Sequence, residues 1–138
     1  MIITARVSNS QGANAVTLST NGHEHGLDVP PRATGFGSSV NGGELLFLAL
    51  ATCYCNDVYR EAARRGIQVQ QVTVEVEGEF GAEGEPGRNL TYHAHVTAAG
   101  SETEIRDLLA HVDRVAEIHN TLRSATPVTL KTVDVTVV

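Results

Sequence analysis

The chain has 138 residues, a length that one hydrophobic core serves, and it is read as a single domain over residues 1–138. With 41% hydrophobic and 19% charged residues, its composition is neither that of a disordered chain nor that of a membrane-embedded one. Ten Lys and Arg against sixteen Asp and Glu give a formal charge of −6, and the bases are scattered, so nucleic acid is not an expected partner.

The opening, MIITARVSNS, lacks the charged start, unbroken apolar stretch and small-residue cleavage site of a secretory signal, and a cytoplasmic location is expected. Ile2 to Val7 alternates, Ser8 to Asn14 supplies turn residues, Ala15 to Ser19 alternates again, and Asn21-Gly22 is a tight-turn dipeptide. This predicts a β-meander. From Leu27 to Gly43 the prolines, glycines and serines are loop chemistry.

A long helix is predicted from Gly43 or Glu44, with Asn41 as cap, to a stop at Gly66. Its uncharged stretch, Leu45 to Asn56, is too short to cross a bilayer, and no membrane is expected as a partner. The first half is apolar on every side and needs protein around it, which predicts a homodimer. Ile67 to Phe80 alternates, with Val69, Val72, Val74 and Val76 separated by Gln, Thr and Glu, and reads as a strand.

Gly81 to Arg88 is a hairpin loop and Asn89 to Ala98 the returning strand. Ser101 and Glu104 form a capping box that opens an amphipathic helix through Ile105, Leu108, Leu109 and Val112. A short helix over Ala116 to Leu122 and a last strand over Val128 to Val138 complete the order βββ-α-ββ-α-α-β, an α+β fold.

Two cysteines in a chain of this size indicate free thiols in a reducing compartment. Read alone, Cys53 in its apolar helix is a small core hydrophobe; a reactive thiol needs a cationic neighbour. Cys55 lies about 200° further around the helix, so the two side chains diverge and no disulfide joins them. His23 and His25, and His93 and His95, alternate along strands, but two residues on one strand do not make a site, and neither metal nor cofactor is expected.

The run Glu44-Leu-Leu-Phe-Leu-Ala-Leu-Ala-Thr-Cys53-Tyr54 follows the Gly-rich loop and precedes Asp57 and Glu61-Ala-Ala-Arg-Arg-Gly66-Ile67. It resembles the central helix of the OsmC/Ohr family, the osmotically inducible and organic hydroperoxide resistance proteins, whose signature is similar to E-L-L-L-A-A-L-A-x-C. The resemblance covers nearly the whole chain in element order. It implies an OsmC-like fold and a thiol peroxidase of oxidative-stress defence that reduces organic hydroperoxides, built as an intertwined homodimer with active sites at the interface. By position Cys53 corresponds to the peroxide-attacking cysteine and Glu44 to the acidic residue near the start of the same helix.

The family's peroxidases carry an arginine in the first meander turn, and the turn here, Ser8 to Asn14, has none. The position of their resolving cysteine falls on Ala116. The thiolate needs a cation and its sulfenic acid a reductant. Arg32, otherwise a solvated loop residue, and His119, otherwise a helix-surface residue, are the replacement partners for Cys53, with an external thiol as reductant. The alternative is a catalytically degenerate OsmC-like protein that binds a small apolar ligand at the dimer interface.

Overall fold

The computed structural model describes residues 1–138 and divides into two compact units, residues 1–46 and 47–138. In the first unit β1 (Ile3–Ser10), β2 (Ala13–Thr20) and β3 (His23–Gly26) form an antiparallel three-stranded sheet in sequence order. Gln11-Gly12 and Asn21-Gly22 close the hairpins, with Ser10 opposite Ala13 and Thr20 opposite His23. Asn21 and Gly22 take φ of 50° and 82°, the left-handed region that two-residue hairpins with the native twist require.

The strands run further than expected. Ser8 to Ser10 pair with Ala13 to Ala15 instead of turning, because the Asn9 amide donates to the Ala13 carbonyl at 3.2 Å and to Asn14 Oδ1 at 3.1 Å across the ladder. Every residue of β1 is exposed, Ile3 and Val7 at 62% and 63%.

Helix α1 (Gly42–Arg64) begins one residue earlier than the expected Gly43 and stops before Gly66, which takes φ of 68°. Asn41 caps it reciprocally. The Glu44 N–H donates to Asn41 Oδ1 at 2.9 Å, and the Asn41 N–H donates to Glu44 Oε2 at 2.8 Å.

The second unit holds most of α1, the antiparallel hairpin of β4 (Val69–Glu79) and β5 (Arg88–Ala98), and helices α2 (Glu102–Val115) and α3 (Glu117–Arg123). The alternation of β4 is interrupted: a register shift between Val69 and Gln71 adds the residue that keeps Val69 and Val72, three apart, both partly buried. From Val72 onward the valines face the core and Thr73, Glu75 and Glu77 the solvent.

Tyr54, Val58 and Ala62 of α1 pack with Leu108 and Val112 of α2, and Val72, Val74, Tyr92, Ala94 and Val96 of the hairpin lie against them. Val58, Leu108 and Val112 are fully buried, each contributing about 1.5–3 kcal/mol by removal from water. The Ser101–Glu104 capping box forms as predicted. Ala116 is at once the C-cap of α2 and the N-cap of α3, in an extended conformation that breaks the helix.

One expected element is not formed. Residues 128–138 make no strand: a strand exists only in a ladder, and this segment has no hydrogen-bonded neighbour in the single chain. Its apolar Val128, Leu130, Val133 and Val135 stand in solvent, and Leu48 on α1 is likewise 55% exposed. No helix is long and apolar enough to cross a membrane.

Candidate active site around Cys53

Cys53 sits midway along α1, where i, i+4 and i+7 fall on one face, and this places Asp57 and Arg60 beside it. The thiol is partly buried and its Sγ lies 3.9 Å from Asp57 Oδ2, within reach of an S–H donor. From α3, Glu117 brings Oε2 to 4.0 Å from the same sulfur. Arg60 holds the two carboxylates, with Nη1 at 2.6 Å from Asp57 and 3.9 Å from Glu117.

Ala116 has no side chain able to cap α3, and the backbone N–H groups of Glu117 and Ile118 in its first turn favour negative charge on the sulfur. Burial raises the Cys53 thiol above its ordinary value; the Ile118 N–H opposes this, while the charges of Asp57 and Glu117 reinforce it. Burial also raises the Asp57 carboxyl against the Arg60 cation, with Glu117 adding to the rise. The site therefore holds a protonated thiol facing an Asp57 carboxylate of enhanced basicity, and not a free thiolate beside a cation. One sulfur and two carboxylates whose donor atoms lie within 4.8 Å of one another are also the donor set that a divalent cation would find here.

The four residues singled out from the sequence are distributed as follows. Glu44 belongs to the first unit and closes the N-terminus of α1. Arg32, also in the first unit, folds over its own loop: its N–H donates to the Gly37 carbonyl at 3.0 Å and its Nε to the Ser38 carbonyl at 3.4 Å. Gly37, at φ of 100°, has its Cα beneath that guanidinium, where an added Cβ would meet Nε at 3.3 Å.

His119 is buried among Tyr54 and Tyr92, with ring centroids 6.0 and 4.8 Å away, and neither ring nitrogen has a hydrogen-bond partner. The residue that α3 presents to the sulfur is Glu117, two positions earlier. Asp57, Arg60 and Glu117 were missed by sequence reasoning. The Cys53-Asp57-Arg60 spacing was a legible signal; Glu117 depends on the placement of α3.

Cys55 lines a shallow surface depression with Ala51, Thr52, Asn56 and Val74, and both cysteines are free. His93 and His95 stand exposed opposite Glu75 and Thr73, and His23 and His25 are exposed on β3.

In sequence, residues 35–131 match the family model described as OsmC-like protein. No curated protein matches the chain. Among solved structures it is similar to an OsmC-like protein from Mycoplasma pneumoniae, at 22% identity over 89% of each chain with a TM-score of 0.60. An organic hydroperoxide resistance protein OsmC from Legionella pneumophila is 25% identical over 89% of this chain and 90% of its own, again at 0.60. An OsmC-like protein of unknown function from Vibrio cholerae superposes equally well at 15% identity, covering 88% of this chain and 93% of that one. With the central helix, the hairpin and both later helices inside the matched residues, the chain belongs to the OsmC-like protein family.

Proposed function

We propose that the protein is a thiol-dependent peroxidase that reduces organic hydroperoxides through Cys53 alone, with an external thiol as reductant. The observation that carries this reading is the Cys53 sulfur between the carboxylates of Asp57 and Glu117, themselves paired to Arg60. As the sulfur attacks the terminal peroxide oxygen, its proton passes to Asp57 and the O–O bond breaks. The departing alkoxide takes that proton and leaves as an alcohol, and the sulfur is oxidised to a sulfenic acid. Two external thiols then return it to the thiol, releasing water and leaving as a disulfide. In this reading Asp57 activates the sulfur by taking its proton, in place of the cationic stabilisation for which the sequence suggested Arg32 or His119.

The reading includes a homodimer. Exposed Ile3 and Val7 of β1, Leu48 of α1 and the apolar residues of 128–138 support it, since exposed apolar side chains grouped on an element mark association surfaces. The hydroperoxide resistance relative from Legionella supports the reaction class.

Mass spectrometry after sub-stoichiometric organic hydroperoxide tests the reading. One added oxygen is expected at Cys53, trapped by dimedone, with hydroperoxide consumption in dithiol lost in Cys53→Ser. Asp57→Asn separates basicity from charge. It should slow hydroperoxide turnover about tenfold or more, while alkylation of Cys53 at pH 7, slow in the wild type because the thiol is held protonated, becomes faster once a neighbouring negative charge is gone. Unoxidised Cys53, or turnover unaffected by Cys53→Ser, sinks the peroxidase. The degenerate, ligand-binding reading would then lead, favoured by the raised thiol and by Ala116 at the resolving position.

A further inference from the structure

The two carboxylates beside Cys53 are not equivalent. Asp57 is buried and its Oδ1 is paired to Arg60 Nη1 at 2.6 Å, so its charge is met by direct contact. Glu117 has a side chain that is 68% exposed, and its Oε1 lies 3.9 Å from the same nitrogen, at the outer limit of an ion pair. Arg60 also donates from Nε to Glu61 at 3.0 Å. One guanidinium thus serves three carboxylates, and Glu61 has Arg64 besides, at 2.7 Å. Glu117 is the least compensated of the three.

The consequence is a negative charge that stands 4.0 Å from the sulfur and is open to solvent. After burial, the side-chain charges that act on the thiol are those of Asp57 and Glu117, and both have the same sign. The N–H groups of Glu117 and Ile118 favour charge on the sulfur itself. They are short-ranged dipoles, whereas a carboxylate acts on charges several ångströms away. The chain as a whole, at −6, adds to the repulsion of anions.

We propose that Glu117 is a specificity-determining residue: the Cys53 site admits neutral and cationic hydroperoxides and thiols and disfavours those that carry a carboxylate. The inference rests on the peroxidase reading for the reaction, and on the geometry alone for the charge selectivity. In the reducing step an external thiolate attacks the sulfur of the Cys53 sulfenic acid, and a mixed disulfide forms while the hydroxyl group takes one proton and leaves as water. A second external thiolate attacks the outer sulfur of that disulfide, so that Cys53 departs as a thiolate and regains its proton. A carboxylate on either thiol comes within about 6 Å of Glu117, where each unit of charge changes the rate about threefold at low salt.

The test alkylates the full chain with neutral iodoacetamide and anionic iodoacetate at low salt and reads Cys53 and Cys55 separately by peptide mass spectrometry. Cys55, in a depression lined by no charged residue, is the internal reference, and the thiolate fraction of each sulfur cancels in the ratio of the two reagents. The iodoacetamide-to-iodoacetate ratio is expected to be about threefold higher at Cys53 than at Cys55. It should fall towards the Cys55 value as salt is raised or in Glu117→Gln, and reverse in Glu117→Lys. In hydroperoxide turnover with thiol limiting, 2-aminoethanethiol should outpace 3-mercaptopropionate about tenfold, each rate taken relative to that thiol's rate with a small disulfide. Equal ratios at the two cysteines, a preference for iodoacetate at Cys53, a selectivity unmoved by Glu117→Gln, or equal rates for the two thiols would each overturn the proposal. Selective alkylation without any hydroperoxide turnover would uphold the charge selectivity of Glu117 and remove the peroxidase reading alone.

Discussion

The β1–β2–β3 meander and the β4–β5 hairpin are built by the same apolar alternation, yet only one of them acquires a core. The hairpin lays Val72, Val74, Tyr92, Ala94 and Val96 against Tyr54, Val58, Leu108 and Val112. In residues 1–46 only Ser19 and Val29 are buried, and β1 is exposed along its whole length. Alternation sets which residues share a face; it does not supply what covers that face. The hairpin is covered by helices of its own unit, whereas the meander has apolar residues on offer and no such cover within residues 1–46.

The comparison is broken most severely at Leu108. Its truncation to Ala leaves a cavity in the one contiguous core and should cost about 2–5 kcal/mol, read as a lowered midpoint in a denaturant titration. A loss below 1 kcal/mol would show that the helices do not carry the hairpin.

Smaller effects come from the two capping boxes, which belong one to each unit. Asn41→Ala and Ser101→Ala each remove a side-chain acceptor from a helix N-terminus and should each cost about 1 kcal/mol. Hydrogen exchange localises the damage: Ser101→Ala should open the first turn of α2 alone, and Asn41→Ala the first turn of α1.

The smallest effect on the fold of one chain is expected at Val7. Val7→Ser at this exposed site should change chain stability by no more than about 0.5 kcal/mol. Under the proposed homodimer, the same change should weaken association, seen by sedimentation as a shift towards the monomer mass on dilution. A Val7→Ser protein that associates as the wild type does would show that β1 is not the covered face.

Much of the second unit was legible because its signals are local. The Ser101–Glu104 box, the Gly66 stop and the valine periodicity act within a few residues, and the structure reproduces them. The departures are non-local. The bulge after Val69 was visible only as a spacing of three where two was expected, and it depends on the register with β5. Val128–Val138 has a strand's pattern and no partner, since pairing is a property of two segments and pattern a property of one.

The site divides along the same line. The sequence by itself determined that α1 is a long helix carrying a thiol with Asp57 and Arg60 on its face, because helical geometry fixes neighbours at four and seven residues. The tertiary structure decided the environment of that thiol. The break at Ala116 brings Glu117 rather than His119 to the sulfur, and buries His119 without a hydrogen-bond partner among Tyr54 and Tyr92. The physical reason is that a helix face is set by angle alone, whereas the charge a thiol meets across a gap of 4.0 Å depends on how two helices far apart in the chain come to pack.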